Sequence, residues 1–279
     1  MTNTNIYPCL WFNNNAHKAA EFYCSAFPGS AILKKSALAT TFITGGTKFM
    51  ALNGGPSFSV NSAISYYVYC GSETEINRLY HLLSTDGDIL MPLGKYDWSE
   101  NYAWIRDRFG VNWQLDVDAI NSHQKIVPSL LFANAKSSLV KRALNHYTGI
   151  FSNSTVLLEA PYPPHAKQPE GTLLFAQVKL NNFIINAMSS SLPHDADFAE
   201  GNSFVIECND QQEIDYYWNR LTEGGRESMC GWLKDTFGVS WQVVPAVLDS
   251  LMSDEKRSGR VMQAFLKMKK FNIKQLLEA

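Results

Sequence analysis

Asp107-Arg-Phe-Gly-Val-Asn-Trp-Gln-Leu115 returns in the same chain as Asp235-Thr-Phe-Gly-Val-Ser-Trp-Gln-Val243, with Asp, Phe, Gly, Val, Trp and Gln in register. Each copy reads as a turn that leads into a strand. Gly110 and Gly238 supply the backbone freedom of a tight turn, and the residues after them alternate with the period of two of a half-buried strand. The repeat distance, from residue 107 to residue 235, is too long for a solenoid unit and is the length of a small domain. A chain of 279 residues has room for two cores of roughly 120–130 residues each. The expected division is a first domain over 1–121, a second over 122–252, and a C-terminal helical tail over 253–279.

Outward from the motif, the order of elements repeats at a finer grain. Ile6 to Phe12 has the composition of a strand, Asn13-Asn-Asn15 offers caps, and Ala19, Phe22, Tyr23 and Ala26 fall at helical spacing before Pro28-Gly29. Three strand-like runs follow, the last two joined by Gly45-Gly46, which gives βαβββ. Ala63 to Cys70 restarts it, with Ser72 as a cap and Ile76, Leu79, Tyr80 and Leu83 on one helix face. Gly94 to Asn101 is predicted as a loop or lid over whatever the sheet encloses. The second half begins at Lys125, and its Val127-Pro-Ser-Leu-Leu-Phe132 parallels Tyr7-Pro-Cys-Leu-Trp-Phe12. Its proline-rich stretch from Pro161 to Pro169 is predicted as a stiff surface connector. In the tail, Val261, Phe265 and Met268 share one side of an amphipathic helix and are expected to be buried.

Composition narrows the function. A formal charge of −2 and a pI near 6.3 leave no basic stripe, so no nucleic-acid partner is expected. No apolar run of about 18 residues and no basic-then-apolar start suggest a membrane or an export signal, and cytoplasm is the expected compartment. Five cysteines without a C-x-x-C pair read as reduced, packed thiols. The six histidines stand singly and read as surface polar groups. No G-x-G-x-x-G, P-loop, H-E-x-x-H or G-x-S-x-G is present, so nucleotide and hydrolase chemistry have no carrier, and no cofactor is expected.

Paired βαβββ units with a closing D-x-F-G-x-x-W-Q strand resemble the vicinal oxygen chelate superfamily of glyoxalase I, extradiol dioxygenases and bleomycin-resistance proteins. Pro8 to Phe12, Ala51 to Pro56, Cys230 to Asp235, Phe237 to Gln242 and Arg260 to Ala264 resemble its PhnB-like branch, which carries the label 3-demethylubiquinone-9 3-methyltransferase. The resemblance implies an α+β fold of two tandem domains. In each, two βαβββ units form a cup-shaped mixed sheet with helices outside. It also implies a divalent ion held by residues on the first, fifth and eighth strands. Those slots fall at Pro8 or Cys9, Ala63 and Gln114, and in the second copy at Pro128 or Ser129, Gly201 and Gln242. A lone neutral Gln does not make such a site, so no metal is expected in either half.

What remains is a polar floor in each cup. Side chains two apart share a strand face, so Asn112, Gln114 and Asp116 are assigned to the first cup, and Ser240 and Gln242, with Val244, to the second. Asn53 and Asn186, on the fourth strands, are the next ligand-binding candidates, and Trp113 and Trp241 are expected in the core. Trp11, Trp98, Trp104 and Trp232 are further candidates to line the cups. The expected function is metal-free binding of a small molecule by a monomer acting as its own covalent pseudo-dimer, or by a homodimer. The alternative is an enzyme of this superfamily, either a metal-dependent lyase or dioxygenase or the methyltransferase of the label.

Overall fold

The computed structural model describes residues 5–166 and 168–279, and in it the chain forms four βαβββ units and a helical tail. Unit one is β1 (Asn5–Phe12), α1 (Ala16–Ala26), β2 (Ala31–Lys35), β3 (Ala39–Thr44) and β4 (Thr47–Asn53). Unit two is β5 (Ile64–Cys70), α2 (Glu73–Ser84), β6 (Asp88–Tyr96), β7 (Ser99–Arg106) and β8 (Asn112–Val117). Unit three is β9 (Ile126–Phe132), α3 (Val140–Ile150), β10 (Thr155–Pro161), β11 (Leu173–Leu180) and β12 (Phe183–Ser189). Unit four is β13 (Asn202–Cys208), α4 (Gln211–Thr222), β14 (Arg226–Glu227), β15 (Trp232–Lys234) and β16 (Ser240–Pro245). The tail holds α5 (Val247–Ser253), α6 (Ser258–Phe265) and α7 (Ile273–Glu278). Among the described residues no helix is long and apolar enough to cross a membrane.

The units do not pair in chain order. One eight-stranded sheet runs β14-β15-β16-β13-β1-β4-β3-β2, and the other runs β10-β11-β12-β9-β5-β8-β7-β6. Unit one is therefore completed by unit four, and unit two by unit three. Each sheet is sewn at its centre by an antiparallel pair from opposite halves, Cys9 opposite Ser203 in the first and Ser65 opposite Ser129 in the second. The expectation that each half builds its own cup is corrected. The cups are the predicted pairs of βαβββ units, but both lie across the two halves.

The repeated motif explains why the halves nonetheless cohere. Asp107 Oδ1 accepts the backbone N–H groups of Phe109 (2.8 Å) and Val111 (3.0 Å), which closes the turn at Gly110. Its Oδ2 accepts Tyr23 Oη from α1 (2.9 Å) and the indole Nε1 of Trp113 (2.8 Å). Asp235 repeats all four bonds with Phe237, Val239, Tyr147 and Trp241. The motif thus ties the first helix of each half to the last strand of that half. Trp113 and Trp241 are fully buried in one apolar core on the helix side of both sheets, as expected.

Local chemistry sets the helix starts. Ser72 Oγ accepts Glu75 N–H at 3.2 Å and Glu75 Oε2 accepts Gly71 N–H at 2.7 Å, a reciprocal cap that Asp210 and Glu213 repeat on α4. The expected Asn cap on α1 is not made by Asn15, whose side chain makes no cap bond; Asn53 Oδ1 reaches across from β4 to accept Ala16 N–H at 3.0 Å. Gly94 to Asn101, expected as a loop, mostly continues the β6–β7 hairpin, with register shifts that let it bend. In the tail, Val261 and Phe265 are buried and Met268 is half-buried, and the tail also buries Phe271 and Leu276.

Candidate functional site

Cup-facing residues follow from strand parity once the pairing is known. The floor of the first cup is Cys9, Met50, Ser203 and Gln242, brought together by the register of β1 with β4 and β13 and of β13 with β16. The floor of the second is Ser129, Asn186, Ser65 and Gln114, at the equivalent positions of β9, β12, β5 and β8. Gln242 donates to Ser203 Oγ at 3.0 Å, and Gln114 donates to Ser65 Oγ at 2.6 Å. The two glutamines of the motif thus do the same local work.

Above these floors the cups differ. In the second, Tyr67 and Tyr69 on β5 and Tyr102 on β7 are buried with Val127 and Ile184. Tyr67 bonds Asp116 Oδ2, Ser99 donates to Asp116 Oδ1 at 2.5 Å, Tyr102 donates to Gln114 Oε1 at 2.6 Å, and Gln177 links Tyr69 to Asn186 at 2.9 Å on each side. Tyr96 and Trp98 at the hairpin tip stack on each other and meet Tyr102 edge-on. Burial and the Asp116 contacts push the Tyr67 hydroxyl far above its ordinary pKa, so it stays a neutral donor. In the first cup, Val205 stands where Tyr67 does, Glu207 where Tyr69 does and Trp232 where Trp104 does. Lys48 pairs with Glu207 at 2.8 Å and lies 4.1 Å over the Tyr7 ring.

Tyr7, Cys9 and Val205 pack the middle of the first cup with Met50 and Leu52, and an open cavity of about 400 Å³ lies at its β14–β15 end. Trp11, Phe58, Glu200, Arg226, Cys230, Trp232 and Lys234 are among the residues that line it. A second hollow, of about 500 Å³, is formed by Lys95 to Glu100 at the exposed hairpin tip. One turn of a single hairpin walls it, and among the described residues no second element closes it.

The sequence-predicted residues distribute as follows. Gln242 and Ser240, of the second half, face the cup of the β1 sheet, here the first; Asn112, Gln114 and Asp116, of the first half, face the cup of the β9 sheet, here the second, with Asn186. Asn53 is not a cup residue: it belongs to the face of β4 that carries Phe49 and Ala51, caps α1, and donates to Ala37 O. Part of the cavity is built by residues that no motif marked, among them Phe58, Glu200 and Arg226. Trp11 and Trp232, anticipated as cup residues, form its aromatic wall, while Trp104 is half-buried in the second cup and Trp98 is 61% exposed.

The ion implied by the resemblance can be tested against these donors. Cys9 and Gln114, assigned to one site by the slot positions, lie in different sheets, and Ser65 and Ser203 take the cup positions given to Ala63 and Gly201. The four floor residues of each cup include no carboxylate and no imidazole. Burial pushes the Cys9 thiol up to about 12, which keeps it protonated. Among the described residues no three His, Cys, Asp or Glu side chains come together. The donor set does not fit a divalent cation.

With this geometry, comparison places the chain. The sequence profile described as 3-demethylubiquinone-9 3-methyltransferase matches twice, over residues 4–116 and 124–244. The chain belongs to this PhnB-like family. A search of curated proteins finds no match. Among solved structures, a Bacillus cereus PhnB protein described under the same methyltransferase name is 35% identical over 40% of this chain and 98% of its own, with a TM-score of 0.38. Glyoxalase I of Zea mays is 10% identical and covers 90% of this chain and 97% of its own, with a TM-score of 0.58. A Bacillus subtilis protein described as a dioxygenase covers 95% of this chain at a TM-score of 0.52 and 10% identity. The last two share the fold of this PhnB-like chain, and the likeness at that identity extends no further.

Proposed function

We propose that this PhnB-like chain is a metal-independent small-molecule-binding protein whose ligand enters the first cup, while the second cup serves stability. The observation that carries the reading is the difference between two cups of one architecture. Tyr67, Tyr69 and Tyr102 fill one, whereas the other, packed at its centre by Tyr7, Cys9 and Val205, opens at its β14–β15 end into a cavity of about 400 Å³ walled by Trp11, Phe58 and Trp232. That volume is within the usual range of small-molecule sites, and its lining mixes aromatic wall with a few charged groups, as such sites do. Both sheets are completed inside one chain, which supports a working monomer. Free thiols at all five cysteines suit the reducing cytoplasm.

Ligand-observed NMR with 2-naphthylmethanol as a neutral aromatic probe tests the reading. Binding is expected to survive EDTA, to be lost in Trp232→Ala, and to be unaffected by Tyr102→Phe in the other cup. Stoichiometric zinc or nickel binding by calorimetry, or probe binding that needs the metal, would overturn it.

A further inference from the structure

The cavity also carries a ligand class. We infer that it takes a flat aromatic molecule bearing a carboxylate; this rests on the binding reading above. Trp11 meets Phe58 edge-on at 5.1 Å and 86°, and meets Trp232 at 5.7 Å and 71°. Three rings packed edge to face give the cavity an aromatic wall, which favours a flat apolar body over a sugar-like one. The wall is stiff on its inner side. Trp11 Nε1 donates to Gly55 O at 2.8 Å, and a Cβ at Gly54 would come within 2.1 Å of the same indole, so only glycine lets the loop pack there.

Charge then selects the other end of the ligand. Glu200 and Lys234 form a close pair at 2.9 Å, with side chains 22% and 17% exposed, and so neutralise each other. Arg226 approaches the same carboxylate only at 3.6 Å and its side chain is 70% exposed, which leaves guanidinium N–H groups free to serve a ligand at the rim. Glu227 is occupied elsewhere, by Trp218 Nε1 at 3.0 Å and Lys269 at 3.4 Å. The lining carries two carboxylates, Glu200 and Glu227, and two cations, Lys234 and Arg226; with Glu200 taken by Lys234 and Glu227 by Lys269, the charged group left without a close ion partner is the Arg226 guanidinium. An aromatic box built for a cationic ligand would leave a carboxylate in that place. A guanidinium beside an aromatic wall matches a carboxylate that it can hold by two parallel bonds.

The test compares three probes of one shape on the full-length chain by calorimetry: 2-naphthoate, 2-naphthylmethanol and 2-naphthyl-trimethylammonium. Naphthoate is expected to bind at least about tenfold more tightly than the alcohol, and the ammonium probe more weakly than either. Arg226→Gln is expected to bring naphthoate down to the level of the alcohol and to leave the alcohol unchanged. Added salt should weaken naphthoate alone. If naphthoate gains nothing over the alcohol, or Arg226→Gln weakens both alike, the carboxylate inference fails while the binding reading stands. If no probe binds, or Trp232→Ala leaves all three unchanged, the binding reading fails with it.

Discussion

Replacing Asp235 with asparagine asks whether the repeated motif locks the fold or serves a ligand. Its carboxylate accepts four hydrogen bonds, from Tyr147 (2.8 Å), Phe237 (2.9 Å), Trp241 (2.9 Å) and Val239 (3.0 Å). An amide offers one oxygen, and its NH2 group would face two of those four donors. Two buried donors without an acceptor cost roughly 1–3 kcal/mol each. Removing a buried charge offsets part of this, since burial raises the Asp235 carboxyl above its ordinary value of 3.8. The net loss is about 2–4 kcal/mol, and at about 2–4 °C per kcal/mol for chains of this size the melting midpoint should fall by roughly 5–15 °C. Calorimetry and urea titration at neutral pH measure both quantities.

Two controls sharpen the result. Tyr147→Phe removes one donor and leaves the carboxylate intact, so it should cost only about 1 kcal/mol. The pH dependence has a definite sign. With its folded value raised, the group's contribution is full below 3.8 and is lost as pH rises through the folded value, so the gap between wild type and variant should narrow as pH rises. Asp107→Asn should behave alike, because the same four bonds recur there. A loss below about 0.5 kcal/mol in Asp235→Asn would refute the reasoning. So would a change in probe binding at an unchanged melting midpoint.

Three further outcomes are expected. Cys9→His with Ser203→His and Gln242→Glu should create measurable zinc binding by calorimetry, because these positions share one floor; Cys9→His with Ala63→His and Gln114→Glu should not, because Cys9 and Gln114 are in different sheets. Truncation after Ser253 removes the buried Val261, Phe265, Phe271 and Leu276, so the melting midpoint should drop by the equivalent of a few kcal/mol; an unchanged value would mean that the tail does not pack as described. Tyr102→Ala should open the second cup, at roughly 3–5 kcal/mol in a urea titration, and let it admit 2-naphthylmethanol even when Trp232→Ala has closed the first route.

Much of the architecture was legible because it is local. The period-two strands, the Ser72 cap, the turn at Gly110 and the outward Trp113 and Trp241 are written within a few residues each. The pairing of units was not, since β1 joins β13 through contacts that no local pattern encodes. Asn53 sits on the fourth strand but outside the cup for a reason internal to unit one: its register neighbour is Phe12 on the helix side, as the parity of β4 requires. The unknown pairing of units does reach the floors. Ser65, Ser129 and Ser203 are small residues in ordinary strand positions, and only the central antiparallel register brings them to the floors beside the glutamines. Phe58, Glu200 and Arg226 come from a loop, a turn and a two-residue strand, where periodicity has nothing to measure.

The pairing of sheets across the halves has an evolutionary consequence. If two identical copies of one half assembled in this way, every substitution would appear in both cups, and a mutation that plugged one would plug the other. Joining the copies in one chain releases that constraint, because unit two and unit four no longer share a sequence. Tyr67 fills one cup and the Val205 at its counterpart leaves the other alone. One cup is then free to accumulate packing that secures the molecule, and the other is free to loosen and change its preference without endangering the fold. Fusion of this kind makes stability and adaptability separately selectable within a single polypeptide.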